Sequence, residues 1–226
     1  MLKSLLRSPT QVQDGDPVLV LLHGRGSDMR DLQDLAGVLP PRGTLVTPQA
    51  PHDGLPWGYG PGWAWYRYLG EDRAESAALA QSLEALENFL EKLPERVEFE
   101  PGPLVLGGFS QGGTTSLSYA MTHPGSVEAV VVLSGFLARG GHAGQGGKDL
   151  APGSLAPENL AGTPVFWAHG TQDPAVPFRL ALAGWERLQA AGVDLEAREY
   201  PIGHWVSPEE LEDLGSWLET SVPGWV

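Results

Sequence analysis

The sequence of 226 residues contains no cysteine, which excludes disulfide bonds, thiolate metal sites and a cysteine nucleophile. It also has no long apolar run. One long charge-free stretch, 101–123, is rich in Gly, Ser, Thr and Gln and does not predict a membrane helix. The first residues, MLKSLLRSP, include no apolar segment long enough for a signal peptide. We therefore expect a cytoplasmic protein with no stable membrane association.

Positive charge is scarce: 14 Lys and Arg stand against 28 Asp and Glu, which gives a formal net charge of −14. Affinity for phosphates comes mainly from Lys and Arg, so such a surface repels nucleic acid. We expect no nucleic-acid partner. The 42% hydrophobic and 19% charged residues are typical of a globular protein. The 30 Gly and 20 Pro predict many tight turns.

Short apolar runs alternate with helical patterns along the chain. Several runs are apolar at every position, which is typical of parallel strands buried on both faces. Helical patterns cover 74–93 and 177–191, and a capping box from Ser207 to Glu210 begins a third. The alternation predicts an α/β protein with a mainly parallel sheet and helices on both faces. The candidate strands are 17–23, 44–48, 103–107, 129–134, 164–169 and 195–200.

Two stretches interrupt this alternation. Residues 49–72 are rich in Gly, Pro and aromatic residues, and residues 139–162 are rich in Gly, Ala and Pro. The second stretch is too long for a plain connection, and we interpret it as a flexible or cap-like insertion. We see no repeat and no interdomain linker, and we expect a single domain over residues 1–226.

The segment LVLGGFSQGGT carries the strongest chemical signal. An apolar strand runs into Gly-Phe-Ser-Gln-Gly, the G-x-S-x-G nucleophile elbow, and a helix-compatible stretch follows. The flanking glycines are needed because the strand-to-helix turn is sharp and leaves no room for side chains. We therefore predict that Ser110 is a catalytic nucleophile. The alternative is a Gly-rich strand end with a hydrogen-bonded serine.

A serine hydroxyl is a weak nucleophile until a base accepts its proton and an acid orients that base. In this type of fold the chain order is nucleophile, acid, histidine. Asp173 follows the fifth candidate strand in HGTQDP, and His204 lies beyond the sixth. Three strand ends thus present Ser, Asp and His in the required order. We predict Ser110, Asp173 and His204 as a catalytic triad, with Asp194 and Glu199 as the acids to examine if Asp173 is not used.

The reaction also requires donors for the negative charge that develops on the carbonyl oxygen. The first strong strand ends in HGRGSD, where a His-Gly-x-Gly turn can offer a backbone N–H. The residue after the nucleophile offers a second. We predict the N–H groups of Arg25 and Gln111 as the oxyanion hole. The alternative is that Gly24 and Gly26 only shape a turn from the strand into a helix with Asp28 as its N-cap. This structural role is compatible with the oxyanion role.

With these residues identified, the sequence resembles the phospholipase/carboxylesterase family of α/β-hydrolases, which includes acyl-protein thioesterases and small bacterial carboxylesterases. The resemblance runs from LLHGRGSD through GGFSQGG and HGTQDPAVP to GHWVSPEEL, in the family's order. It implies the α/β-hydrolase fold with a minimal cap, no metal or organic cofactor, a homodimer, and the triad and oxyanion donors named above. Arg67 is a departure, because the family commonly has an acidic residue after the aromatic pair.

We therefore predict a serine hydrolase that cleaves small-molecule carboxylic esters of small to medium acyl chains through an acyl-enzyme. Thioesters and lysophospholipids are alternative substrates for the same chemistry, and peptides are a further alternative. Two other classes of protein stay open. One is a noncatalytic hydrolase-like protein that binds a ligand. The other is a metal-dependent hydrolase that uses His23, His169 and Asp173, although the sequence offers no close cluster of ligands.

Six aromatic residues fall within residues 57–68, interleaved with Gly and Pro, after the second candidate strand. In this type of sheet, ligands bind beyond the carboxyl ends of the strands. We predict that this loop lines an apolar acyl pocket beside the nucleophile. The alternative is that its rings only complete the core. The predicted pocket residues are Trp57, Trp63, Trp65 and Tyr66.

Overall fold

Strands and helices alternate along the chain in the computed structural model, which describes residues 2–141 and 155–225. The strands are β1 (Ser4–Arg7), β2 (Val18–Leu22), β3 (Thr44–Pro48), β4 (His52–Asp53), β5 (Trp63–Ala64), β6 (Arg73–Glu75), β7 (Leu104–Phe109), β8 (Ala129–Leu133), β9 (Arg139–Gly141), β10 (Val165–Gly170) and β11 (Leu195–Tyr200). The α-helices are α1 (Ser76–Leu90), α2 (Leu93–Val97), α3 (Gln111–Thr122), α4 (Phe178–Ala190) and α5 (Pro208–Ser221). Short 3-10 helices cover Gln33–Val38, Leu55–Trp57 and Pro157–Leu160.

Seven strands form the central sheet in the order β1-β3-β2-β7-β8-β10-β11. Every neighbouring pair is parallel except β1 with β3. This arrangement confirms the predicted α/β fold with a mainly parallel sheet. Strand β1 was not predicted from the sequence. Two of its four residues are exposed, so this antiparallel edge strand has no continuous apolar run.

Helices cover both faces of the sheet, as predicted. The buried strand β2 shows why, because its side chains alternate between two cores. Val18, Val20 and Leu22 pack in the core that includes α1, α3 and α4. Leu19 and Leu21 pack in the core that includes α5 and the helix Gln33–Val38. The apolar run of β2 therefore reflects burial on two sides.

The helix boundaries follow the sequence patterns within a few residues. The predicted helix 74–93 is shorter, because residues 73–75 form β6 and α1 ends at Leu90. The predicted helix 177–191 corresponds to α4. Within the described ranges, no helix combines the length and the apolar character needed to cross a bilayer.

Most of the insertion predicted at 139–162 lies outside the described residues. Its described ends belong to the fold. Strand β9 pairs in parallel with β6, and the 3-10 helix Pro157–Leu160 buries Leu160 completely.

Helix α5 begins with the predicted capping box. Ser207 Oγ accepts a hydrogen bond from the Glu210 amide at 3.1 Å, and Glu210 Oε2 accepts one from the Ser207 amide at 3.3 Å. Glu210 is only 1% exposed, and its Oε1 has no hydrogen-bond partner among the described residues. Burial raises the pKa of this carboxyl to about 7, although the bond from Ser207 acts to lower it.

Glu210→Gln is expected to remove a pH dependence of stability. A carboxyl whose pKa rises from 4.5 to about 7 on folding stabilises the fold fully below pH 4.5, and this contribution is lost as the pH rises through 7. At pH 8 the variant should be more stable than wild type by about 3 kcal/mol. At pH 4 the two should agree. Urea unfolding at both pH values measures the difference.

Glu209→Gln is the matched control, because Glu209 lies in the same first turn of α5 but is exposed. This variant should follow the wild-type dependence of stability on pH. If Glu210→Gln and wild type change in parallel between pH 4 and 8, burial of the Glu210 carboxyl is not the cause.

Candidate active site

The nucleophile elbow lies between β7 and α3. Ser110 has φ 55° and ψ −116°, which is a strained conformation for a residue other than glycine. Its amide donates to the Leu133 carbonyl of β8 at 2.8 Å. A Cβ at Gly112 would overlap the carbonyl oxygen of Leu22. Only glycine therefore lets α3 approach β2 this closely, which is the crowding that the elbow motif predicts.

Helix α3 is buried although it is rich in Ser and Thr. Residues 111–121 are all buried. Three of their hydroxyls donate to carbonyls one turn earlier: Thr115 to Gln111 at 2.8 Å, Ser116 to Gly112 at 2.9 Å and Ser118 to Thr114 at 2.7 Å. These bonds satisfy the polar groups within the helix. The elbow is thus supported by a helix with little room to move.

The three side chains predicted as a triad form one hydrogen-bonded chain. Ser110 Oγ lies 3.0 Å from His204 Nε2, and His204 Nδ1 lies 2.6 Å from Asp173 Oδ2. The three residues follow β7, β11 and β10, whose carboxyl ends meet at one edge of the sheet. His204 makes no hydrogen bond to Asp194 or Glu199. The arrangement can pass a proton from a serine hydroxyl to an imidazole.

Asp173 is held by both of its carboxylate oxygens. Oδ1 accepts from the amides of Ala175 and Val176 at 2.8 Å each, while Oδ2 faces His204. Burial alone would raise the pKa of Asp173, but the hydrogen bonds from His204 and the two amides outweigh burial and hold this pKa below its ordinary value. The carboxylate therefore stays charged beside the imidazole.

A second histidine supports the loop that carries Asp173. His169 is fully buried at the end of β10. Its Nε2 lies 2.8 Å from the Val176 carbonyl and 3.5 Å from Asp173 Oδ2. Burial lowers the pKa of His169, although its bond to Val176 and the charge of Asp173 act to raise it. The neutral ring therefore donates from Nε2 to that carbonyl.

His23, His169 and Asp173, the ligands of the alternative metal site, do not form one cluster, although His169 lies near Asp173. No three His, Asp or Glu residues within 2–141 and 155–225 are grouped closely enough to hold a metal ion. His23 Nε2 instead accepts the Ala50 amide at 3.0 Å. Burial lowers the pKa of His23, so this ring is neutral and structural.

The glycine turn after β2 packs directly against the elbow. A Cβ at Gly24 would lie 3.6 Å from Ser110 Cβ. The Arg25 amide makes no hydrogen bond to any residue that the structure describes. Gln111 is the first residue of α3, and the first amides of a helix have no acceptor within it. Both amides are thus available at the cavity wall, where Arg25, Ser110 and Gln111 lie together.

The side chain of Gln111 connects the aromatic loop to the elbow. Its Oε1 accepts from the Trp65 amide at 3.0 Å, and its Nε2 donates to the Tyr66 carbonyl at 2.8 Å. Gln111 is only 4% exposed. The indole N–H of Trp65 also donates to the His23 carbonyl at 3.0 Å. The loop is therefore fixed to both the elbow and the glycine turn.

A cavity of about 180 Å³ opens beside Ser110. Its wall combines apolar side chains with the triad serine, the triad histidine and the two predicted oxyanion residues. The described residues that line it are Gly24, Arg25, Ser27, Asp31, Tyr66, Tyr68, Phe109, Ser110, Gln111, Phe136, Ala175, Val176 and His204.

Three of the four aromatic residues predicted to line this cavity lie elsewhere, which corrects that prediction. Trp65 is fully buried, and its indole N–H is satisfied by the hydrogen bond that it donates to the His23 carbonyl. Trp63 borders a separate cavity. Trp57 packs on His52 with ring centroids 5.1 Å apart. The three tryptophans therefore fit the alternative interpretation, in which the rings complete the core. Tyr66 is the one predicted pocket residue that lines this cavity.

Most of the apolar wall of the cavity was not predicted from the sequence. Phe109 ends β7, Phe136 follows β8 by three residues, and Val176 lies in the loop after β10. Phe109 is the last residue of a parallel strand, and the other two lie in loops that follow the carboxyl ends of parallel strands. The triad was predicted from residues that lie at or after the ends of strands, and the same criterion could have identified these residues.

The fold and this site together define an α/β-hydrolase. A family model described as phospholipase/carboxylesterase matches residues 10–222. The chain belongs to this family, and it is a hydrolase of the esterase type.

Individual relatives agree with this assignment. The chain is 27% identical over 238 residues to acyl-protein thioesterase 1 of Saccharomyces cerevisiae, which covers 96% of this chain and 98% of that protein. It is 30% identical over 145 residues to carboxylesterase SOBER1 of Arabidopsis thaliana, covering 63% and 60% of the two chains. The crystal structure of esterase PE8 is similar with a TM-score of 0.77 and 26% identity, covering 98% and 99%. The match thus spans nearly all of the yeast protein and less than two thirds of SOBER1.

Proposed function

We propose that the protein hydrolyses carboxylic esters with Ser110 as nucleophile, His204 as general base and Asp173 as the acid that orients it. The observation that carries this proposal is the continuous hydrogen-bonded chain through the three side chains, at 3.0 Å and 2.6 Å. The serine at its end borders a cavity that can admit a substrate. Membership of the phospholipase/carboxylesterase family supports the same reaction.

The proposed reaction has two halves. Ser110 Oγ attacks the acyl carbon while its proton passes to His204 Nε2, and the adjacent Asp173 carboxylate stabilises the imidazolium. The alcohol leaves when His204 returns the proton to its oxygen. A water molecule, deprotonated by His204, then attacks the acyl-enzyme and releases the acid and free Ser110.

The amides of Arg25 and Gln111 donate to the carbonyl oxygen as it becomes negative. The close packing of the glycine turn on the elbow supports this role, since the two amides come from adjoining segments. Each such donor typically lowers the barrier by about 3 to 4 kcal/mol. Main-chain donors are also rigid, so they need no reorganisation during the reaction.

The size of the cavity favours short acyl groups. Its volume of about 180 Å³ is below the range of about 300–1,000 Å³ that is usual for ligand pockets. Its apolar wall, which includes Phe109, Phe136 and Val176, suits an alkyl chain. Thioesters of small acyl groups are an alternative, because they form the same acyl-enzyme and the yeast relative is named a thioesterase.

Modification by a fluorophosphonate tests the nucleophile. We expect ester hydrolysis to be lost, and mass spectrometry to locate the adduct on the peptide that contains Ser110. A chelator should leave the activity unchanged. An adduct on another peptide contradicts the assignment of Ser110, and loss of activity with the chelator supports a metal-dependent hydrolase instead.

A panel of p-nitrophenyl esters from acetate to palmitate tests the acyl preference. Each methylene that enters the cavity should raise kcat/KM about fourfold, because its burial contributes about 0.8 kcal/mol. We expect the rise to end by about six carbons, when the cavity is full, and palmitate to be a poor substrate. An acyl-CoA of the best chain length compares thioester with ester. A maximum at palmitate would contradict the small-acyl proposal.

A cytoplasmic location and a homodimer stay predictions. Cell fractionation tests the first, and light scattering of the purified protein tests the second.

A further inference from the structure

The side chain of Arg25 is an exposed cation at the cavity beside Ser110. Its guanidinium carbon lies 4.8 Å from the centroid of the Tyr59 ring and 5.9 Å from that of Tyr68, which lines the same cavity. Burial raises the pKa of the Tyr66 and Tyr68 phenols, and the charge of Arg25 acts to lower both. The guanidinium, and not only the main-chain amide of this residue, is therefore located at the cavity wall.

The two rings that contact the guanidinium are themselves held in place. The Tyr59 hydroxyl oxygen accepts from the Tyr68 amide at 2.7 Å, and the Tyr68 hydroxyl donates to the Glu71 carbonyl at 2.7 Å. The faces of aromatic rings attract a cation such as a guanidinium. The Arg25 charge is thus positioned by aromatic contacts and not by a carboxylate.

The N–H groups of Arg25 are available to a ligand. Among the described residues, its side chain forms no ion pair and no hydrogen bond. Five other arginines of the described chain pair with a carboxylate: Arg30, Arg42, Arg139, Arg179 and Arg198. A guanidinium binds a carboxylate through parallel N–H···O bonds, a geometry that its planar shape favours.

The negative charges nearby leave this site open to an anion. Asp31 lines the same cavity but forms no ion pair with Arg25. The net charge of −14 acts weakly from a distance, because salt at physiological concentration screens exposed charges beyond about 8 Å. Arg25 is the only Lys or Arg among the described residues that line the cavity. An anion that enters the cavity therefore has one cation to bind.

We propose that the Arg25 guanidinium binds a carboxylate of the substrate, so that the enzyme hydrolyses esters that carry a free acid group. Such esters are half-esters of dicarboxylic acids, with the carboxylate on the acyl part, or acyl esters of hydroxy acids, with the carboxylate on the alcohol part. The amide of Arg25 is a proposed oxyanion donor, so its side chain begins beside the scissile carbonyl. The inference rests on the proposed function and specifies its substrate class.

Two pairs of esters test the proposal, and within each pair a neutral carboxamide replaces the carboxylate at nearly equal size. Monoethyl glutarate and ethyl glutaramate test the acyl part, while butyryloxyacetate and butyryloxyacetamide test the alcohol part. Chromatography of the released acids gives kcat/KM for each ester. We expect Arg25→Gln to lower the ratio of carboxylate to carboxamide in at least one pair by about three- to tenfold, between the values for an exposed ion pair and a buried charged hydrogen bond. The ratio cancels any effect of the substitution on the main-chain amide, which the variant keeps.

Arg30→Gln is the matched control. It removes the same charge from an exposed arginine that pairs with Asp28 and does not line the cavity, so both ratios should stay at their wild-type values. Asp31→Asn should raise the ratio that Arg25→Gln lowers, by about twofold, because it removes a negative charge from the same wall.

The pair that responds identifies the part of the substrate that carries the carboxylate. Unchanged ratios of both pairs in Arg25→Gln overturn the proposal, and so does an equal fall in Arg30→Gln, which would mean a general effect of net charge. If Ser110→Ala hydrolyses all the esters at the wild-type rate, the proposed function fails and the inference with it. An inactive Ser110→Ala together with unchanged ratios in Arg25→Gln rejects the inference alone.

Discussion

Ser110→Ala is expected to lower kcat for p-nitrophenyl butyrate by about 10⁴- to 10⁶-fold. Alanine has no oxygen to attack the acyl carbon, so no acyl-enzyme forms and only attack by water remains. Loss of a single triad member typically removes most of the rate enhancement, because the members act as a unit. Steady-state kinetics with a burst-phase measurement records both the slow turnover and the missing acylation.

The variant should keep its fold. Alanine at position 110 retains the amide that donates to Leu133, and it has the same backbone strain as serine at φ 55°. Ser126→Ala is the matched control, since Ser126 is exposed and is not among the residues that line the cavity. It should keep the wild-type kcat. Substantial turnover by a folded Ser110→Ala would require another nucleophile.

Asp173→Asn is expected to lower kcat by about 10⁴-fold. The Ala175 and Val176 amides both donate to Asp173 Oδ1 at 2.8 Å. An asparagine can accept these two bonds only if its side-chain oxygen takes the position of Oδ1. Its NH₂ group then faces His204 Nδ1 and donates to it. The imidazole proton must move to Nε2, and in this tautomer Nε2 cannot accept the proton of Ser110.

Asp194→Asn and Glu199→Gln are matched controls for this prediction. Both residues precede His204 in the chain, but neither is hydrogen-bonded to it. Each substitution removes one negative charge, as Asp173→Asn does. Both variants should keep kcat within about twofold of wild type. If Asp173→Asn instead stays within about tenfold of wild type, another group orients the histidine.

The sequence was most informative where strands are buried on both faces. The apolar run of β8, AVVVL, is fully buried, and the predicted bounds of β3 and β11 agree with the structure. Because a parallel sheet brings the carboxyl ends of its strands to one edge, the order of Ser110, Asp173 and His204 was sufficient to predict that they meet. Their catalytic roles stay predictions.

The side chains that form the cavity wall were harder to predict. An aromatic loop beyond a strand end indicates where rings gather, but not which ring faces the cavity. That choice depends on long-range contacts, such as the bonds from Gln111 to residues 65 and 66, 46 and 45 positions away. Strand β1 was missed for a different reason, since its half-exposed residues leave no periodic signal.

The link from Gln111 to the aromatic loop has a consequence for protein engineering. The Gln111 side chain bonds to main-chain atoms of Trp65 and Tyr66. These two hydrogen bonds therefore do not depend on the side chains at the bonded positions of the loop. Directed evolution could therefore vary positions 66 and 68 to reshape the substrate range while the loop keeps its attachment to the elbow. Position 111 is the one to leave constant in such a library.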